Sequence, residues 1–300
     1  MTTAILFPGQ GSQEKGMGQE LAYADKDILE LWKFAEKESA QPLREIYWDG
    51  EAKDMADTRA LQPALTMVNI GLWMKHGKNL APSATAGHSL GEFASLCASG
   101  ILTPKETLSA VTLRGKLMAE SGGAGHGMAA ILKMKQEQVE EVVQAAAQES
   151  GKELRIANYN TPAQYVISGE EEALKLAQSK VKEAKGRAIA LAVSGAFHSP
   201  LIQDAADEFA EFLQNLDWKV PAFPVYFNAT AVPEENPEKI KEIMCSQMTS
   251  SVYWIQIMAN MYETGTKKFI ELGPKGVLNK MLTANLKERG DDWTGENIDS

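Results

Sequence analysis

The chain has 300 residues, 44% hydrophobic and 23% charged, an ordinary globular composition with enough length for a sizeable core in one large or two smaller domains. Its formal net charge of −10 argues against a general nucleic-acid binder, although a local basic patch is compatible with it. Cys97 and Cys245, the two cysteines, lie far apart without a CxxC pattern, and the four histidines show no HExxH spacing. Neither a disulfide framework nor a metal site is expected, and a reducing, cytoplasmic setting fits. MTTAILFPGQGSQ lacks the basic and long apolar regions of a signal peptide, and no apolar run reaches the roughly 18 residues of a membrane span.

In chain order, TAILFPG reads as a buried strand ended by Pro8 and Gly9. Residues 61–77 carry apolar residues at helical spacing up to Gly77, where the helix should stop. SATAGH is a short small-residue strand, and SLGEFASLCASG a helix closed by Gly100. The next helix starts with Thr103 as N-cap and Pro104 at its first position, and ends at Gly122. From Gly127 the order becomes strand, helix, strand, strand, helix, strand, the split βαβ pattern of a ferredoxin-like unit. Then come a helix (200–215), a strand at FPVYFN, helices near 237–248 and 253–264, a strand at KKFIEL and a last helix from Lys275. The polar end, KERGDDWTGENIDS, is expected to fray. The class is α/β: a hydrolase-like body with a mostly parallel sheet (1–125 and 195–300) and an inserted ferredoxin-like α+β subdomain (126–194).

Gly87-His88-Ser89-Leu90-Gly91 is a G-x-S-x-G between a strand and a helix, the nucleophile-elbow pattern. Its glycines permit the tight turn, and the helix N-terminus favours developing negative charge. The bare pentapeptide also fits a plain strand–helix turn, so the serine needs a base to be a nucleophile. His88 adjoins Ser89, but neighbouring side chains at a strand end point opposite ways. His76 suits a helix C-terminus. His126, in GGAGHGM, reads as part of a hinge. His198, in VSGAFHSP, follows a strand and precedes a Pro-started helix, where open α/β sheets gather reactive groups. The Leu90 N–H and, from the Gly-rich loop FPGQGSQ, the Gln10 N–H are candidate oxyanion donors.

FPGQGSQ, GHSLGE, LRGKLM, GAFHS and SQMTSSVYW occur in an order and spacing that resemble the acyltransferase family of fatty acid and polyketide synthesis, its malonyl-coenzyme A:acyl carrier protein transacylases in particular. The likeness runs from about residue 4 to about residue 285. It implies Ser89 as the acylated serine, His198 as the catalytic histidine, and Gln10 and Leu90 as oxyanion-hole residues. Arg114 would hold the acyl carboxylate, and Gln247 would orient the histidine through its main-chain carbonyl, so no triad acid is required. Phe197 matches an aromatic of members using unbranched malonyl, and Asn160 and Gln164 match polar pocket positions. Arg114 also stands out on its own, because a fork-shaped cation among apolar neighbours calls for a carboxylate partner.

The resemblance implies malonyl-coenzyme A as substrate, acyl carrier protein as partner, no cofactor or metal, and fatty acid synthesis; a monomer is expected. Since that carrier is expected to be acidic, Lys180, Lys182, Lys185 and Arg187, or Lys275, Lys280, Lys287 and Arg289, are candidate docking clusters. Each also reads as a solvated helix face. Competing readings are a serine esterase or thioesterase, a polyketide acyltransferase for another extender unit, and a non-catalytic carrier-binding domain.

Overall fold

The computed structural model describes residues 2–123 and 125–300. Strands are β1 (Thr2–Phe7), β2 (Ala84–Gly87), β3 (His126–Leu132), β4 (Leu154–Thr161), β5 (Gln164–Glu170), β6 (Arg187–Ala190), β7 (Val225–Tyr226), β8 (Pro233–Glu234), β9 (Thr266–Leu272) and β10 (Thr294–Ile298). One sheet has the order β10-β9-β1-β2-β7-β8, parallel except for β8. The other is antiparallel in the order β4-β5-β3-β6.

The buried run Ala4–Phe7 makes β1 central, because a strand in a parallel sheet is covered on both faces. Beside it, α1 (Gln19–Ala24), α2 (Lys26–Ser39) and α3 (Thr58–Leu80) pack on one another, and the sequence patterns above leave the first two unassigned. The helix α3 is buried through most of its length and runs past Gly77. The Trp73 ring covers Gly77, and the helix stops at Ala81, which takes a left-handed φ of 43°. Next are α4 (Gly91–Ala98) and α5 (Pro104–Glu120). Thr103 caps α5 as expected: its Oγ1 accepts the Glu106 N–H at 3.3 Å, and Glu106 Oε2 accepts the Thr103 N–H at 2.8 Å.

Helices α6 (Gln136–Ser150) and α7 (Glu171–Glu183) cover one face of the antiparallel sheet, completing the expected ferredoxin-like order. His126 is the first residue of β3 rather than part of a hinge. Period-two alternation splits the sheet's residues between two faces. Ala129, Ile131, Tyr165 and Ile167 join the core under α6 and α7, whereas Met128, Ala130, Asn158, Asn160 and Val166 face the main body across a cavity. The last helices are α8 (Gln203–Leu213), α9 (Pro237–Cys245), α10 (Trp254–Glu263) and α11 (Val277–Leu286).

The C-terminal end does not fray as expected. Residues 294–298 form β10, parallel to β9 at the sheet edge, and the Gly273 N–H donates to the Ile298 carbonyl at 3.1 Å. An edge strand needs ladder bonds on one side and tolerates polar side chains, so TGENI carries no apolar signal.

Candidate active site

Neighbouring strands β1 and β2 end in register, Phe7 beside Gly87, and the His88 N–H donates to the Phe7 carbonyl at 2.9 Å. The loops following them therefore meet at the carboxyl edge of the sheet, where open α/β sheets place ligands. Three glycines make the approach possible. A Cβ on Gly87 would strike the Gly91 backbone, one on Gly91 the Phe7 carbonyl, and one on Gly9 the His88 carbonyl. Ser89, at the apex, has a left-handed φ of 49°. This is the strained strand-to-helix elbow expected from the pentapeptide.

Ser89 Oγ lies 2.8 Å from His198 Nε2. The other ring nitrogen, Nδ1, lies 2.9 Å from the Ser250 carbonyl. A carbonyl can only accept, so Nδ1 carries the proton and Nε2 is free to take the serine's. His198 is itself at φ 57°, with its N–H held by the Met248 carbonyl at 3.0 Å. Burial, assisted by the nearby Arg114 charge, pushes the imidazole down to about 3, so it is neutral at physiological pH.

Gln247 needs a correction. The hydrogen bond to Nδ1 belongs to Ser250, three residues further along the same turn, and the Gln247 main chain makes a smaller favourable contribution. The Gln247 side chain is engaged elsewhere: Nε2 donates to the Ser89 carbonyl at 3.0 Å, and Oε1 accepts from Arg114 Nε at 3.2 Å.

Arg114 projects from the buried face of α5 with 1% exposure. Beyond its bond to Gln247, Nη1 donates to Gln62 Oε1 at 2.8 Å and Nη2 to Ser89 Oγ at 3.2 Å. Three of its five N–H groups are thus engaged, and two have no protein acceptor among the described residues. No carboxylate pairs with it within salt-bridge distance among the described residues. Burial pushes the guanidinium down to about 10, which leaves it charged near neutral pH. A buried fork-shaped cation with free donors is a receptor for a carboxylate.

Gln10, His88, Ser89, Leu90, Arg114, Asn160, Gln164, Phe197 and His198 line one cavity of about 270 Å³, with Met118, Met128, Val166, Leu191, Val193 and Met281 forming its apolar walls. The structure thus brings every predicted site side chain to one place except Gln247, which braces it from behind. The N–H groups of Gln10 and Leu90 have no protein partner among the described residues. His88 is not a rival base. Its Nε2 donates to Asn160 Oδ1 at 2.7 Å, and burial lowers its pKa. Gln62, Glu92, Asn228 and Ser250 were missed. Gln62 and Glu92 did carry a signal, a polar residue among mainly apolar neighbours on a helix.

Among the described residues, no group of three or more His, Cys, Asp or Glu side chains is placed to hold a metal ion, and no helix is long and apolar enough to cross a membrane.

A proton acceptor on a serine, two free amides beside it and a cation facing the same space suit the making and breaking of an acyl ester, which defines the class as a serine acyltransferase. The chain belongs to the acyl transferase domain family, whose model matches residues 5–297. It is 38% identical over 282 residues to the malonyl CoA-acyl carrier protein transacylase of Bacillus subtilis, covering 93% of this chain and 89% of that protein. An acyl carrier protein S-malonyltransferase from Vibrio cholerae superposes with a TM-score of 0.92 at 34% identity, covering 100% of this chain and 97% of that one. A malonyl-transacylase in complex with a type II PKS acyl-carrier protein superposes with a TM-score of 0.92 at 30% identity, covering 100% and 96%.

Proposed function

We propose that this chain transfers a malonyl group from coenzyme A to the phosphopantetheine thiol of an acyl carrier protein through an ester on Ser89. The observation that carries the reading is Ser89 Oγ, held by His198 at 2.8 Å and touched at 3.2 Å by an arginine with two free donors. The Ser89 proton passes to His198 Nε2 as Oγ attacks the thioester carbonyl. Negative charge collects on the carbonyl oxygen, opposite the Gln10 and Leu90 N–H groups. The C–S bond breaks, the imidazolium returns its proton to sulfur, and coenzyme A leaves as the thiol. The carrier thiol then gives its proton to Nε2 and attacks the ester, regenerating the serine hydroxyl. The bonds exchanged balance, so no cofactor is required.

Arg114 couples recognition to chemistry in this scheme. Its charge lowers the basicity of His198 while the carboxylate is absent. Pairing with the malonyl carboxylate neutralises that charge and raises the basicity of Nε2 when the correct acyl group is seated. Phe197 in the cavity wall disfavours an α-methyl group, a discrimination of about 1–3 kcal/mol. Fatty acid synthesis, built on unbranched malonyl units, is the pathway this favours, and we place the enzyme in the cytoplasm. Every group used comes from one chain, so a monomer suffices.

Of the two basic clusters, we favour the one around α7 for carrier docking. Lys180 is paired with Glu149 at 2.6 Å, whereas Lys182, Lys185 and Arg187 are exposed and form no ion pair among the described residues. In the other cluster Lys275 and Lys280 bond to carbonyls and Arg289 pairs with Glu263.

A thioesterase shares the elbow and the histidine, and partitioning separates the two. With malonyl-coenzyme A alone, the transferase accumulates malonyl-enzyme and releases free malonate slowly, and adding holo acyl carrier protein moves the label to the carrier. Steady malonate release undiminished by carrier would make the protein a hydrolase.

A further inference from the structure

Asn228 lies two residues beyond the end of β7, with 1% exposure, and each of its hydrogen-bonding groups has a partner around the nucleophile. Its Oδ1 accepts the Ser89 N–H at 2.7 Å, and its Nδ2 donates to the Gly87 carbonyl at 2.7 Å. The side chain thus clasps the elbow from both sides of His88. Its main-chain N–H donates to Glu92 Oε1 at 2.6 Å, in the first turn of the helix that follows the elbow. Its carbonyl accepts the Tyr253 N–H at 3.0 Å, close along the chain to the Ser250 carbonyl that orients His198.

We propose that Asn228 is a positioning residue for the reaction, fixing Ser89 in its left-handed conformation and in register with His198, with the Glu92 carboxyl anchoring Asn228 in turn. The inference rests on Ser89 being the acylated nucleophile. A residue with a Cβ disfavours the left-handed region, so Ser89 stays there only if its surroundings hold it. The amide of Asn228 does so at the Ser89 N–H itself. Relaxation of the elbow would carry Oγ away from Nε2 and turn the Leu90 N–H, and a misplacement of about 1 Å costs on the order of 100-fold in rate.

Single-turnover malonylation followed by rapid quench and intact mass tests this. Asn228→Ala should lower the rate constant for malonyl-Ser89 formation about 100-fold, with the KM for malonyl-coenzyme A changed less than about 3-fold. Glu92→Gln, which keeps an oxygen for the Asn228 N–H, should stay within about 5-fold of wild type, and Glu92→Leu should fall towards Asn228→Ala. A purely structural role would lower the amplitude of the adduct and leave its rate constant alone, which overturns the proposal. So would an Asn228→Ala rate within about 3-fold of wild type. If thermal unfolding shows that Asn228→Ala does not fold, Asn228→Asp takes its place. It keeps the acceptor for Ser89 and loses the donor to Gly87, so a loss of about 10-fold is expected and a wild-type rate overturns the proposal. Absence of an adduct on wild-type enzyme would remove the Ser89 reading and this one together, whereas failure of the Asn228 variants alone leaves the former standing.

Discussion

Replacing Arg114 with alanine removes the carboxylate receptor and leaves the nucleophile, base and oxyanion donors in place. The guanidinium is 1% exposed and free of any ion pair among the described residues, so a substrate carboxylate would meet it in a largely dry cavity. Breaking one side of a buried, hydrogen-bonded charge pair costs about 3–5 kcal/mol, or roughly 150- to 5,000-fold in kcat/KM. An acetyl group has no carboxylate and escapes that loss. The variant should therefore lose malonyl transfer by that factor while acetyl transfer holds or rises, which is read by competing malonyl- and acetyl-coenzyme A against one carrier. Arg114→Lys should recover part of the loss, since a point charge replaces a bidentate fork. Some destabilisation will accompany Arg114→Ala, because Gln62 Oε1 and Gln247 Oε1 lose their donor, at about 1–3 kcal/mol each. It would affect both substrates equally. A malonyl-to-acetyl ratio unchanged by the substitution would refute the clamp.

Gly9→Ala drives a methyl into the His88 carbonyl and must displace the loop bearing the Gln10 N–H, so kcat should fall about 100-fold with little change in KM. The His198 imidazole, held down to about 3 against an ordinary 6.5, makes folding acid-labile: its contribution is present above pH 6.5 and is lost as the pH falls towards 3. Glu92 and Glu271, pushed up to about 7 by burial, act in the opposite sense, their contribution being present below the ordinary carboxyl range and lost as pH rises through 7. Wild-type stability relative to His198→Ala should accordingly drop by on the order of 3–5 kcal/mol between pH 7 and pH 3, read by denaturant melts. Charge reversal at Lys185 and Arg187 should raise the KM for carrier protein several-fold, largely at low salt, and spare the KM for malonyl-coenzyme A.

Ser89, His198 and Arg114 were legible because each is a reactive residue type tied to a short backbone pattern. The elbow glycines encode a turn, and LRGKLM sets a charge on a buried face. Asn228 left no trace of that kind. It acts through an amide on backbone groups more than a hundred residues away, and nothing local to FPVYFN marks it. Gln247 against Ser250 shows a related limit, because which carbonyl of one turn faces an imidazole depends on backbone geometry that residue identity does not encode. The fold was read well where periodicity was strong, as in the unit from β3 to β6. It failed at β10, whose side chains at a sheet edge need not be apolar, and at Gly77, where the packed Trp73 ring outweighs the roughly 1 kcal/mol cost of a helical glycine.

The central claim is that Ser89 carries the acyl group in transit. Intact-mass measurement after mixing with malonyl-coenzyme A addresses it directly. The wild-type chain should gain one malonyl unit, located on the peptide containing Ser89 and discharged by holo acyl carrier protein, and Ser89→Ala should gain nothing. An adduct on Ser89→Ala, or one on another residue of the wild type that discharges equally fast, would contradict the account.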